Sequence, residues 1–350
     1  MQVWYGPEQV PTTLTGADGT GSVVTIGVFD GVHRGHQAIL ERVVARAHAL
    51  GAEAGSGAPR PLAVALTFDP HPARVHRPEA GVELVASLAD RLERLAAVGL
   101  DGVLVIHYTL EFAEQSAEEF VRTWVEGVLG ARAVVVGDDV RFGRGNEGDA
   151  STLLAIGAED GVDVEIVSDV LAPEGRRWSS TWVRELLEAG DVAGASRVLG
   201  HPHRLRGTVV HGLRRGRELG FPTANLDAAS VGVVPPDGVY AGWLVREPGS
   251  GEESRPGEER LPAAISIGTN PTFDDVPERT VEAYVLGRSD LDLYGQVVAI
   301  DLVEHLRPML AFDALEPLLT QMDQDVRDAA RCLGVPEPDR LRVRPEDVTA

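Results

Sequence analysis

The pattern of apolar and polar positions in the first half of the chain alternates between strand and helix periodicity. Apolar runs of the strand type cover residues 23–28, 62–68, 102–107 and 133–136. Stretches with helical periodicity follow them at residues 37–50, 88–98, 116–129 and 151–157. This alternation predicts a parallel sheet with helices on both faces, in which ligands bind beyond the carboxyl ends of the strands.

The second half has a different pattern, in which short strands are separated by turns. Helical stretches at residues 181–189 and 192–199 precede it. Strands are predicted at residues 205–210, 238–245, 263–267, 280–286 and 296–303, followed by a helix at 312–333. This pattern indicates a small antiparallel barrel closed by a helix. We therefore expect an α/β domain over residues 1–200, a barrel domain over 201–335 and a polar tail over 336–350.

Length and composition agree with two compact domains in a cytoplasmic protein. The chain has 350 residues, which is enough for two cores. Hydrophobic residues make up 43% of it, and no apolar run approaches the roughly 20 residues that span a bilayer. The first residues have neither the basic start nor the apolar stretch of a signal peptide.

Charge and residue usage exclude several kinds of site. A net charge of -22 opposes nonspecific attraction to nucleic acid or an anionic membrane, so local groups must hold any phosphate ligand. All 32 lysine-plus-arginine positions are arginine, which excludes a P-loop lysine and any lysine Schiff base. Cys332, the single cysteine, excludes an internal disulfide and is expected to be a small packing residue. The polar stretch 246–260 has no assigned role.

The segment 27–36 is the strongest candidate for a phosphate-binding loop. It reads GVFDGVHRGH, follows a strand run and leads into a helical pattern. Glycines allow a close backbone approach, and a helix start presents unpaired N–H groups to an anion. His33 and His36 then place two imidazoles beside that anion. A glycine-rich turn with a structural histidine would look similar, so this segment alone does not decide the function.

Three other segments of the first half fit a nucleotide site. Residues 67–72 carry two prolines that stiffen a loop at a strand end. Residues 136–143 add carboxylates, an arginine and glycines at another strand end. Residues 179–184 begin a helix whose hydroxyls, N–H groups and Arg184 could bind phosphate oxygens. Each segment alone also fits an ordinary turn or helix cap, but the combination indicates a nucleotide site.

Segments 27–36, 67–72 and 179–184 resemble those of the prokaryotic bifunctional riboflavin kinase/FAD synthetase family. His33-Arg34-Gly35-His36 is similar to the His-x-Gly-His signature of nucleotidylyltransferases. The resemblance implies a Rossmann-like domain in which an FMN phosphate oxygen attacks the α-phosphate of ATP, giving FAD and pyrophosphate. Alignment and electrostatic stabilisation would then supply most of the catalysis.

The same resemblance implies roles for individual residues of the first domain. The expected ATP-binding residues are Gly27, Phe29, Asp30, Gly31, His33, His36, Asp139, Ser180, Thr181 and Arg184. Among them the histidines would donate to the phosphate oxygens, and Ser180, Thr181 and Arg184 would hold the departing pyrophosphate. Asp139 would position ATP or its magnesium. Pro72 and His76 would border the flavin.

The second half contains another glycine- and arginine-rich segment, which resembles the riboflavin kinase signature. Gly207, Gly212 and Arg217 are candidates for a second ATP phosphate site. Thr223 and Asn225, within the sequence Pro-Thr-Ala-Asn, are oxygen ligands that an extended chain points to one face, where Mg²⁺ could bind with ATP. Read without the resemblance, the segment would be a glycine-rich hairpin. Segments 236–241, 267–273 and 281–284 fit the same family in order.

The kinase reaction implied by this resemblance needs a base for the ribityl 5'-hydroxyl of riboflavin as it attacks the γ-phosphate of ATP. Glu282 is the candidate, because it stands within a strand pattern where a charge needs a partner or a function. Arg307 is expected to contact the flavin or a phosphate, and an ion pair with a neighbouring acid is the alternative.

The sequence departs from the family at two positions and leaves some alternatives open. Val140 and His76 stand where family members commonly carry aromatic residues, which leaves the details of flavin stacking open. A single-activity enzyme would need only one of the two motif sets. An amino-acid-adenylating synthetase would be expected to have a basic second half, and a flavin-binding regulator would not need two ATP sites. The expected small-molecule partners are riboflavin, FMN, FAD and ATP with Mg²⁺, and homo-oligomerisation is undecided.

Overall fold

The computed structural model describes residues 1–15, 19–55, 58–211, 221–227, 232–246, 260–269, 279–288 and 290–338. The chain forms two compact units, one of Met1–Val82 and Leu88–Ser179 and the other of Glu83–Ser87 and Ser180–Ala350. The expected boundary at 200/201 stays a prediction. Most of the polar stretch 246–260 and of the tail lies outside the described residues.

The first unit is built on a six-stranded sheet in the order β1-β4-β3-β2-β5-β6. Its strands are β1 Gln2–Trp4, β2 Ser22–Ile26, β3 Leu62–Asp69, β4 Gly102–His107, β5 Ala131–Gly137 and β6 Asp163–Val167. All neighbouring strands are parallel, which confirms the predicted sheet. The sequence pattern does not predict β1 and β6, because these edge strands are short and β6 alternates apolar residues with acids that pair with Arg42 and Arg46.

Helices cover both faces of this sheet. They are α1 Arg34–Glu53, α2 Pro72–His76, α3 Leu88–Val98, α4 Ala117–Phe120 and α5 Ala150–Asp160, and α4 continues as a π-helix over Val121–Val128. Alternate strand residues belong to two separate apolar cores. Val23 and Ala65 pack in the core that contains Leu40 of α1, whereas Ile26 packs in the core that contains Phe120 of α4. This division follows from the side-chain alternation along a strand.

The sheet order creates a switch point next to β2. From β2 the chain adds β3 and β4 on one side, and β5 and β6 lie on the other side. Loops that leave β2 and β5 therefore diverge at the carboxyl ends of these strands, which is where open α/β sheets bind ligands.

The second unit contains a closed antiparallel barrel in the order β10-β11-β8-β7-β12-β9. Its strands are β7 His203–Val210, β8 Thr223–Leu226, β9 Gly238–Arg246, β10 Arg260–Gly268, β11 Thr280–Val285 and β12 Val297–Pro308. Its helices are α6 Ser180–Glu188, α7 Val192–Leu199 and α8 Leu315–Leu333. The barrel with its closing helix confirms the predicted architecture. β8 was not predicted as a strand, because it has only four residues and directly follows a proline.

The closing helix packs on the barrel through small and apolar side chains. Val326, Ala329 and Ala330 form one core with Phe221 and Tyr284. Cys332 does not belong to this core, since it is exposed, and the expectation that it is a small packing residue was wrong. Among the residues that the structure describes, no helix has the length and apolar character needed to cross a membrane.

Candidate active sites

A cavity of about 360 Å³ lies in the first unit at the switch point of the sheet. It lies between the loop that follows β2 and the loop that follows β5. The predicted residues that line it are Gly27, Phe29, His36, Pro72 and Asp139. Asp30, Gly31 and His33 belong to the same loop and are buried.

The loop after β2 is held in an unusual backbone conformation. Phe29 and Val32 have φ angles of 54° and 44°, in the left-handed region that side chains with a Cβ rarely adopt. Each such residue costs of order 1–3 kcal/mol and persists only when its surroundings hold it in place. At Gly27 a Cβ would come within 2.8 Å of the Phe29 ring. A side chain at position 27 would therefore displace the Phe29 ring.

The two histidines have different structural roles. His33 is the N-cap of α1, and its Nδ1 accepts a hydrogen bond of 3.4 Å from the backbone N–H of His36. Because Nδ1 is an acceptor, neutral His33 carries its proton on Nε2. The two rings are stacked with centroids 3.6 Å apart, and His36 faces the cavity. A donating Nε2–H of His33 and the exposed part of His36 therefore stand at the positive end of a helix.

Both histidines are neutral at pH 7. Burial, with a smaller effect of nearby Arg177, lowers the pKa of His33 to about 4. Burial, followed by the effect of His33, lowers the pKa of His36 well below its ordinary value. Arg177 is bound to Asp139, and its Nε donates to Asp169 at 2.6 Å. The imidazoles thus present N–H donors without a charge, and a bound polyphosphate would raise their pKa values.

We expect the stability of the first unit to fall as the pH drops from 6.5 to 4, in part because of His33. Unfolded His33 binds a proton near pH 6.5, whereas folded His33 binds one only near pH 4. The contribution of His33 to the free energy of unfolding is therefore present in full above pH 6.5. It decreases by up to about 3 kcal/mol as the pH falls from 6.5 to 4. His33→Asn keeps an N-capping side chain but does not titrate.

The measurement is the urea dependence of hydrogen exchange in α1 at pH 7 and pH 4.5. Wild type should lose more free energy of unfolding than His33→Asn between the two pH values. An equal loss in both proteins would contradict the assigned pKa shift.

Five aromatic side chains that were not predicted individually form one wall of this cavity, and two of them lie in the predicted segments 67–72 and 136–143. They are Phe68, Tyr108, Phe112, Phe120 and Phe142. His76 takes part through Tyr108, because its Nε2 lies 2.9 Å from the Tyr108 hydroxyl. Such a wall fits a flat, largely apolar ring. The position of Tyr108 directly after β4 was the available signal, since ligands bind at strand carboxyl ends.

Ser180, Thr181 and Arg184 lie in the first turns of α6, which belongs to the second unit. The Arg184 Nε donates to the backbone oxygen of Glu83 at 3.1 Å. Their predicted contact with a nucleotide beside the two histidines stays a prediction.

A second cavity, of about 140 Å³, opens in the barrel unit. Thr223 and Glu282 line it together with Phe221, Tyr284 and Arg307. Glu282 of β11 lies opposite Asn225 of β8, and residues opposite each other in an antiparallel pair point to the same face. The sheet register therefore brings together Thr223, Asn225 and Glu282, which are three of the residues that the sequence predicted for the kinase.

Hydrogen bonds connect these residues into one polar cluster. The hydroxyls of Thr223 and Thr280 each donate to a carboxylate oxygen of Glu282 at 3.2 Å. The Asn225 amide donates to the Thr223 hydroxyl at 3.2 Å. The cluster offers hydroxyl, amide and carboxylate oxygens, which are the hard donors that Mg²⁺ prefers. No group of three or more His, Cys, Asp or Glu that could hold a metal occurs in the described parts of the chain.

Arg307 forms the ion pair that the sequence left as an alternative. Its Nε and a terminal nitrogen donate to the two Asp325 oxygens at 2.7 and 2.6 Å. Gln321 donates to the same carboxylate at 2.9 Å. Arg307 also lines the barrel cavity, so the pair holds its guanidinium at the edge of the site.

The structure describes only one of the three residues predicted for the glycine- and arginine-rich phosphate site of the kinase. Gly207 lies within β7, opposite Val298, and not in a loop. Gly212 and Arg217 lie outside the described residues.

Comparison with known proteins finds matches for both halves of the chain. The family model for FAD synthetase matches residues 16–182, and the model for riboflavin kinase matches residues 199–333. The bifunctional riboflavin kinase/FMN adenylyltransferase of Escherichia coli strain K12 is 35% identical over 325 residues, which cover 93% of this chain and 97% of that protein. The protein of the same name from Listeria monocytogenes is 34% identical over 307 residues, which cover 87% of this chain and 90% of that protein.

A solved structure is also similar to this chain. It is the crystal structure of a protein described as a macrolide-efflux protein from Streptococcus pneumoniae, with a TM-score of 0.75 and 27% identity. The match covers 94% of this chain and 98% of that chain.

Proposed function

The chain belongs to the bifunctional riboflavin kinase/FMN adenylyltransferase family, and we propose that it makes FMN from riboflavin in its barrel unit and FAD from FMN in its first unit. This membership confirms the resemblance identified from the motifs. ATP is the co-substrate of both reactions. The observation that carries the proposal is the presence of two separate cavities, each lined by residues of one of the two motif sets.

In the first unit, an FMN phosphate oxygen forms a bond to the α-phosphorus of ATP while the bond to the β-phosphate oxygen breaks. Negative charge develops on the oxygens around the α-phosphorus in the transition state. The electron pair of the broken bond leaves on the β-phosphate oxygen of pyrophosphate, and the α-phosphate becomes part of FAD. His33 and His36, at the start of α1, supply uncharged N–H donors to these oxygens, and the helix dipole adds a favourable field. The aromatic wall with Phe68 and Tyr108 holds the isoalloxazine ring.

Two further predicted residues of the first unit contribute to this site. Asp139, held by Arg177, positions the nucleotide or its Mg²⁺. Pro72 lines the flavin side of the cavity. Ser180, Thr181 and Arg184 belong to the second unit, and the pyrophosphate-binding role that the motif resemblance implies for them stays a prediction.

In the barrel unit, the ribityl 5'-hydroxyl of riboflavin attacks the γ-phosphorus of ATP and ADP leaves. Glu282 accepts the hydroxyl proton, and its carboxylate is held in place by Thr223 and Thr280. Thr223 and Asn225 would hold Mg²⁺, which would neutralise phosphate charge during the transfer. The small number of protein ligands fits Mg²⁺, because this ion usually keeps water and phosphate oxygens as its other ligands.

The compartment is part of the same proposal. We place the chain in the cytoplasm, where ATP and riboflavin are both available to it. The measurement is fractionation of the source cells with an antibody to this chain, and recovery in the membrane pellet would contradict this placement.

The decisive experiment is to incubate the purified chain with riboflavin, ATP and Mg²⁺ and to separate the flavins by chromatography. FMN should form first and FAD should follow, and omission of Mg²⁺ should stop both reactions. Formation of FMN alone would contradict the bifunctional assignment. Retention of unchanged riboflavin would instead favour a flavin-binding protein without turnover.

A further inference from the structure

Arg91 is a buried arginine of α3 that the two reactions leave without a role. Only 1% of it is exposed, and it is among the largest fully buried side chains of the described residues. Removing a guanidinium from water is costly unless its N–H groups are bonded, so its bonding partners indicate what it does.

The partners of Arg91 lie at the carboxyl ends of two neighbouring strands. One terminal nitrogen donates to the backbone oxygen of Val28 at 2.7 Å and to the Thr67 hydroxyl at 3.2 Å. The other donates to the backbone oxygen of Phe68 at 3.2 Å and approaches a carboxylate oxygen of Asp69 at 3.5 Å. One planar side chain therefore joins the end of β3 to the segment that follows β2.

This connection begins where the backbone pairing of the two strands ends. The register between β2 and β3 stops at Ile26 and Leu66, and the N–H of Gly27 still donates to Leu66 at 3.1 Å. One residue later, the Val28 oxygen is held by Arg91 and by the Thr67 hydroxyl, which donates to it at 3.2 Å. Side chains thus replace the sheet hydrogen bonds at the point where the chain turns towards the histidines.

We propose that Arg91 is a positioning residue for adenylyl transfer, because it fixes the Val28 carbonyl and with it the turn that carries His33 and His36. The inference rests on the proposed function of the first unit. Phe29 directly follows Val28 and has a left-handed backbone conformation. Such a conformation persists only when its surroundings hold it, and the hydrogen-bonded Val28 carbonyl is part of these surroundings. Val28 and Phe68 both line the cavity, so a shift of either carbonyl also moves the cavity wall.

The fork shape of arginine is essential to this role. The two terminal nitrogens reach oxygens of β3 and of the segment that follows β2, whereas a lysine ammonium is a single point on a flexible stem. Arg91→Lys should therefore retain the charge but hold only part of the network. Arg91→Met removes the charge and every donor while keeping a long apolar stem.

Arg60 provides a matched control in the same sheet. Its two terminal nitrogens donate to the Asp101 carboxylate at 2.6 and 2.7 Å. This pair joins residues that precede β3 and β4, at the amino ends of the strands, away from the histidine loop. Arg60→Met therefore removes a comparable connection between strands without touching the cavity.

The test compares Arg91→Met, Arg91→Lys and Arg60→Met in the full chain. Arg91→Met should lower kcat for FAD formation at least ~100-fold, as a misplaced catalytic group would, with a much smaller change in KM for ATP. Arg91→Lys should recover part of this loss. FMN formation should be unchanged in all three, and Arg60→Met should keep kcat for FAD formation within a few-fold of wild type.

A second readout does not depend on activity. The ring NMR signals of His33 and His36 in the ligand-free protein should shift in Arg91→Met and stay in place in Arg60→Met. Unchanged ring signals together with unchanged kcat in folded Arg91→Met would overturn the positioning role, as would an equal loss of kcat in Arg60→Met. Failure of the proposed function would look different, because wild type itself would then form no FAD while the ring signals could still shift.

Discussion

Replacing His36 by alanine should reduce the rate of FAD formation from supplied FMN by about 100- to 1,000-fold while FMN formation from riboflavin continues at the wild-type rate. Loss of one fixed donor to a developing oxyanion typically costs this much. His36 lines the cavity of the first unit and is stacked on His33. The Thr223–Glu282 cluster of the kinase belongs to the other unit.

The measurement is the separate assay of both reactions, with each intermediate supplied directly. His48→Ala is the matched control, because His48 lies on the same helix and is exposed. It should leave both rates unchanged. Loss of both activities in a folded His36→Ala protein would contradict the assignment of this histidine to one reaction.

Replacing Glu282 by glutamine should lower the rate of FMN formation by about 100- to 10,000-fold, the range in which general bases contribute. The glutamine side chain keeps the size of the glutamate. Its amide oxygen can accept from one of the two threonine hydroxyls and its NH2 group can donate to the other, but it cannot take up the ribityl proton. FAD formation from supplied FMN should continue, since this reaction uses the first unit.

Glu304→Gln serves as the control, because Glu304 is an exposed carboxylate on another strand of the same barrel. It should leave FMN formation unchanged. Asn225→Ala should share the phenotype of Glu282→Gln, and addition of more Mg²⁺ should restore part of its activity if Asn225 holds the metal. Near wild-type FMN formation in Glu282→Gln would remove this carboxylate from the mechanism.

Much of the fold could be predicted because it depends on local periodicity. Residues 88–98 and 102–107 were predicted as a helix and a strand, and the structure has α3 and β4 with the same bounds. The predicted strand at 296–303 was too short, since β12 extends to Pro308 through two register shifts that no hydrophobic pattern displays. The short strand β8 depends on pairing with β7 and β11, which are distant in the sequence.

The site residues were predictable to a similar degree and for a similar reason. His36 and Glu282 stand in short motifs whose residue types show their chemistry, and each lines a cavity. The motif did not indicate that His33 caps α1 and is covered, because both properties depend on the backbone conformation of the turn. Arg307 was ambiguous in the sequence because its partner, Asp325, lies 18 residues away on the closing helix, and only the packing of that helix on the barrel brings the two together.

The sequence by itself determined the two units, their order and the residue types of both reactions, because strand and helix periods and short motifs are properties of neighbouring positions. Only the tertiary structure decided which imidazole faces the cavity, which aromatic side chains form its wall and why Arg91 is buried. These features need contacts between segments far apart in the chain, such as Arg91 with Val28 and Tyr108 with His76. Sheet order and packing fix such contacts, and no local spacing of residues encodes them.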